Sequence, residues 1–114
     1  MLTYAVIVFA IAAVGGLVLA SSVLRGKLAP WPLSLLHAGL GAAGLIMLIL
    51  ALMDGAGSRI TTALIILVVA ALGGFYLASV HLRKQVAPSG VVLIHAGAAV
   101  IGFLLLAGTV FSLF

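Results

Sequence analysis

Four long apolar runs, each broken by a few polar or helix-ending residues, make up nearly the whole chain. The first covers about 2–23 and stops at Arg25-Gly26-Lys27, with Pro30 and Pro32 just beyond. The second, about 32–53, stops at the polar turn from Asp54 to Ser58. The third, about 59–82, stops at Arg83-Lys84-Gln85 before Pro88, and the fourth covers about 89–111. The hydrocarbon core of a bilayer takes about 20 apolar residues of helix, so each run predicts one membrane-spanning helix. Pro32 suits the first turn of its helix, where a missing N–H breaks no bond. All three connections are short, which predicts antiparallel neighbours in an up-down four-helix bundle.

The pattern is written twice. Shifted by 58 residues, Gly15-Gly16 falls on Gly73-Gly74, Leu19-Ala20-Ser21 on Leu77-Ala78-Ser79, and Leu24-Arg25 on Leu82-Arg83. Ala29-Pro30 falls on Ala87-Pro88, and His37-Ala38-Gly39 on His95-Ala96-Gly97. From Ala12 to Gly44 the register needs no gap, and close to half of the positions are identical to their partners. Shared apolar composition would supply Leu and Ala matches, but not the Gly, Arg, Pro and His pairs with them. We read two tandem two-helix repeats, residues 1–57 and 58–114, forming one membrane domain. Each repeat crosses twice, so both halves keep one orientation and are related by a pseudo-twofold axis along the membrane normal. The first run has no charged leader and recurs internally as the third, so it reads as a retained helix and not a cleaved signal peptide.

Composition strengthens the membrane assignment. The 114 residues are 67% hydrophobic and 5% charged, with a mean hydropathy of +1.56, whereas soluble domains carry about 25% charged residues. The fold class is therefore all-α and integral to the membrane, with minimal loops. The five Lys and Arg against one acid flank helix ends, which points to topology and lipid headgroups and not to nucleic acid. Arg25, Lys27, Arg83 and Lys84 occupy the two loops on one side, while Asp54 and Arg59 cancel on the other. The positive-inside rule places the basic loops in the cytoplasm and both termini outside, as in a bacterial cytoplasmic membrane.

The duplication places His37 and His95 at equal depth, one on the second helix and one on the fourth. Each lies five to seven residues past its proline, about 7–10 Å into the helix at 1.5 Å per residue. Ionisable side chains at such depth face the bundle interior and mark function. Two imidazoles facing each other across an axis are the axial pair that a six-coordinate b-type haem requires. Small residues share their faces: Gly41 and Gly44 with His37, and Ala99 and Gly102 with His95. Gly16 and Gly74 lie on small-residue stripes of the first and third helices, where backbone can approach a flat porphyrin. Arg25 and Arg83, with Lys27 and Lys84, lie at the same face as the histidines and suit haem propionates. Ser21 and Ser79 are secondary candidates there.

On these residues the chain resembles the haem-carrying four-helix cores of b-type quinone-linked cytochromes and respiratory anchor subunits. Two-haem members of that kind use four histidines. This chain has one matched pair plus His81, which implies a single haem b per chain, ligated by His37 and His95. The resemblance implies one-electron transfer with a quinone or a redox partner subunit, and an electron-transfer subunit more than a stand-alone enzyme. A homo-oligomer stays open.

Other readings stand beside it. Small-xxx-small stripes pack membrane helices without any ligand, a duplicated gene inherits its histidine twice, and a buried histidine can simply donate a hydrogen bond across helices or handle a proton or metal. A haem-free transporter or a structural subunit of a larger complex is the alternative. His81 aligns with Val23 and reads as an interfacial residue. Tyr4, Trp31, Phe111 and Phe114 read as an aromatic belt. Tyr76 lies deeper, inside the bundle or beside a cofactor. Met47 and Met53 read as core filling. Absences narrow the field further. No cysteine is present, which removes a thioether-linked haem and iron–sulfur clusters. The chain has no glutamate, and its one acid, Asp54, lies in a loop, so carboxylate-driven antiport of the small multidrug transporter kind has no residue to run on. Hydrolytic or phosphoryl chemistry likewise lacks its residues.

Overall fold

Leu2–Leu24 forms α1, Trp31–Met53 forms α2, Ser58–Leu82 forms α3 and Ser89–Val110 forms α4. The structure is a computed structural model that describes residues 1–114 and is helical throughout, with no strand. All four boundaries fall within one residue of those expected from the sequence. At 22 to 25 residues, each helix is about 33–37 Å long, enough to cross a hydrocarbon core about 30 Å thick. Each is also apolar enough to do so. Outward-facing Leu35, Leu36, Leu72, Leu93, Ile94 and Leu104 are exposed, as expected for side chains that face lipid and not water. The molecule is an integral membrane four-helix bundle.

The helix ends show why the chain turns where it does. After α1, Gly26 takes φ +74°, and the N–H groups of Gly26 and Lys27 return to the carbonyls of Val23 and Ser22. This is the reversal that satisfies the last carbonyls of a helix. After α3 the same reversal recurs one repeat later, with Lys84 at φ +57° and the Lys84 and Gln85 N–H groups on His81 and Val80. The two turns set Lys27 and Gln85 in equivalent places at one end of the bundle.

Around the bundle, α1 packs on α2 and α4, and α3 packs on α4 and α2, with no close backbone approach across either diagonal. The end that carries the termini and the α2–α3 turn is solid. Its core comprises Ala5, Val6, Phe9, Leu48, Ile60, Ala63, Leu67 and Leu106. Ala5 with Ala63, Phe9 with Leu67, and Leu48 with Leu106 are repeat partners, so both halves contribute like layers. Gly44 and Gly102 belong to this packing. A Cβ on Gly44 would lie 2.6 Å from the Phe9 ring, and one on Gly102 would lie 2.8 Å from Leu67. Gly44→Ala should therefore destabilise the bundle by about 1–3 kcal/mol through overpacking. Gly39→Ala, where a Cβ meets nothing within 4 Å, should be neutral or gain about 0.5–1 kcal/mol. Thermal unfolding in detergent separates the two; equal shifts would contradict this packing.

Candidate functional site

Above the solid core the helices part around a cavity of about 400 Å³. Phe9, Leu45, Leu67 and Phe103 line its inner end, and small residues of all four helices line its walls, Ala12, Gly16, Ala70 and Gly74 among them. Its outer end lies at the α1–α2 and α3–α4 loops, where Lys27 and Gln85 contribute. Such a volume lies within the roughly 300–1,000 Å³ range of ligand and cofactor pockets.

His37 and His95 enter this cavity from α2 and α4. Their Nδ1 atoms lie 2.7 Å from the carbonyl oxygens of Ala12 and Ala70, respectively, and Ala12 and Ala70 are themselves repeat partners. A carbonyl only accepts, so each Nδ1 carries the proton and donates. The proton-free nitrogen is then Nε2, which has no hydrogen-bond partner in the protein, and no buried side-chain nitrogen or oxygen is left unsatisfied. Each Nε2 is therefore accessible from a cavity that its ring lines. Gly16 and Gly74 sit one helical turn beyond the accepting carbonyls. A Cβ on Gly16 would lie 2.8 Å from His37 Cε1, and one on Gly74 would lie 3.2 Å from His95 Cε1. These glycines thus seat the imidazoles.

The two rings face each other edge to face, with centroids 6.2 Å apart and planes at 84°. A metal held between two imidazole nitrogens at about 2.0–2.1 Å separates the ring centres by roughly 6–6.5 Å. The centroid distance of the pair falls in that range, and from the edge-to-face arrangement a ring would turn for both Nε2 atoms to meet one metal. No group of three or more His, Cys, Asp or Glu side chains forms a cluster.

The remaining expected site residues divide. Gly16, Gly41 and Gly74 line the cavity, while Gly44 and Gly102 pack beneath it. Arg25 and Arg83 turn back on their own helices, with Nε donating to the Ser21 and Ser79 carbonyls at 3.0 and 3.3 Å. Neither lines the cavity, and neither do Ser21 and Ser79. Tyr76 is exposed on the outer face of α3. Gly39 and Gly97 of the repeated His-Ala-Gly triplet face outward.

His81 keeps its expected place at the end of α3 but is turned into the bundle. It is 9% exposed and lines the cavity. The Trp31 ring stacks on it at 3.8 Å with planes 7° apart, and its Nδ1 lies 3.5 Å from Ser34 Oγ. Trp31, Ser34 and His81 replace Ser89, Val92 and Val23 of the other repeat. The available signal was that all three differ from their partners together.

The fold and the site define an all-helical membrane protein with a paired-histidine cavity open toward its basic loops. Comparison with protein-family models, with curated proteins and with solved structures returned no match.

Proposed function

We propose that the chain is a membrane b-type cytochrome, holding one haem between His37 and His95 and passing single electrons to or from a quinone or a redox partner subunit. The observation that carries this reading is the imidazole pair: 6.2 Å between centroids, with both Nδ1 protons given to backbone carbonyls. A packing role accounts for the Nδ1 bonds. It does not account for a matched pair of imidazoles lining one cavity, each with an Nε2 that has no protein partner.

When bound, the haem iron would supply a one-electron ferric/ferrous couple. The chain's own residues do the rest. His37 and His95 ligate, and the Ala12 and Ala70 carbonyls fix each ring's tautomer and orientation and raise its basicity. Gly16 and Gly74 leave room for the rings. The apolar walls exclude water, which tunes the potential through burial. Charge asymmetry supports a cytoplasmic placement for the basic loops and the open end of the cavity, with both termini outside, in a bacterial cytoplasmic membrane.

The spin state of the loaded protein tests this directly. With His37 and His95 as the two residues that would hold the iron, the ferric protein should give a low-spin electron paramagnetic resonance signal. A high-spin signal alone would contradict bis-histidine ligation.

A further inference from the structure

The polar residues lining the cavity are distributed unevenly along it. Apart from the two central histidines, the only ones are Lys27, Ser34, His81 and Gln85. All four lie toward the end that bears the basic loops, and no acid lines the cavity anywhere. The opposite end is closed by Phe and Leu. The space is therefore an apolar slot with one electropositive, donor-bearing end.

Within that end His81 is the prepared group. Trp31 covers one face of its ring at 3.8 Å, and Ser34 fixes its Nδ1 edge, so the imidazole is held while Nε2 has no protein partner. His81 also occupies the last turn of α3. The Lys27 backbone N–H bonds the Ser22 carbonyl, which places this lysine in the loop at the same end of the cavity.

We infer that Lys27 and His81, with Ser34 and Gln85 beside them, form a carboxylate-binding end of the cavity that orients an amphiphilic planar ligand by its acidic edge. This rests on the haem reading above: the carboxylates are the two propionates of that haem, and the ligand enters with them toward the basic loops. Arg25 and Arg83 do not line the cavity.

The experiment compares haem with its dimethyl ester, which keeps the iron and the ring but has no carboxylate charge. Both are titrated into the full-length protein in detergent, for the wild type and for the Lys27→Gln/His81→Phe double variant. Phenylalanine keeps the stack on Trp31 and removes the ring nitrogens. The wild type should prefer haem over the ester by about tenfold or more, the scale of a charge-assisted hydrogen bond. The double variant should bind both alike, within about twofold, and keep the low-spin bis-histidine spectrum. An Arg25→Gln/Arg83→Gln variant should keep the wild-type preference. Equal binding of haem and ester by the wild type, or an undiminished preference in the double variant, would overturn the inference while the cytochrome reading stands. No low-spin spectrum with either ligand would instead overturn the cytochrome reading. Native mass spectrometry with phosphatidylglycerol provides the remaining arm. Lipid lost from the double variant, with the haem preference unchanged, would give this end to a lipid phosphate and overturn the inference.

Discussion

On the proposed cytochrome reading, replacing either cavity histidine with alanine is expected to abolish the low-spin b-type spectrum and lower retained haem by at least about tenfold, since even outer partners of metal ligands act on a 10–100-fold scale. The loss follows from the donor count. The proposed site holds the haem through two imidazoles, so His37→Ala or His95→Ala would remove one of the two residues that would hold it. Loss of fold would mimic loss of ligand, and exogenous imidazole separates them. An alanine variant that has kept its bundle retains space where the ring was, and added imidazole should restore the low-spin spectrum there. His81→Phe should leave the line shape intact, since His81 reaches the outer end of the cavity and not the pair. Unchanged haem content in His37→Ala would show that the ligands lie elsewhere.

The second large effect is expected at a residue that touches no ligand. Gly16→Val sets a branched side chain where even a Cβ comes within 2.8 Å of His37 Cε1 and 3.2 Å of Nδ1. The ring must move, and its bond to the Ala12 carbonyl goes with it. Overpacking of this kind costs about 1–3 kcal/mol, and a neutral hydrogen bond is worth about 0.5–1.5 kcal/mol net. Haem affinity should fall by about tenfold or more, since 1.4 kcal/mol is a factor of ten. Gly74→Val should act in the same direction but more weakly, because its Cβ stands 3.2 Å from His95 Cε1. Haem titration of both variants, alongside Gly39→Ala as a control, checks the order. A wild-type affinity in Gly16→Val would show that the glycine does not seat the imidazole.

How far the site could be read in advance depended on whether a residue carried a repeat signal. The helices were legible because each apolar run ends at Pro, Gly or a charge, and a backbone in lipid has no solution open to it here but the helix. His37 and His95 were legible because the duplication kept both while neighbours changed. His81 was not, since its partner is Val23 and its surroundings come from Trp31 and Ser34 on another helix, about fifty residues away in the chain. No local pattern reports such a contact. The glycines were sorted by spacing alone, and spacing cannot say which neighbour a face meets. Gly44 and Gly102 receive Phe9 and Leu67, whereas Gly16 and Gly74 receive the imidazoles. Arg25 and Arg83 looked like anion ligands from their place at the membrane face. A serine four residues back on the same helix instead offers each guanidinium a carbonyl at the helix end, a common use of basic residues there.

The proposed haem, one per chain between His37 and His95, is tested by a reduced-minus-oxidised absorption spectrum of the detergent-purified protein with its haem-to-protein ratio. Sharp low-spin b-type bands at about one haem per chain are expected. A protein without a Soret band, even after expression with added haem, would contradict the proposal.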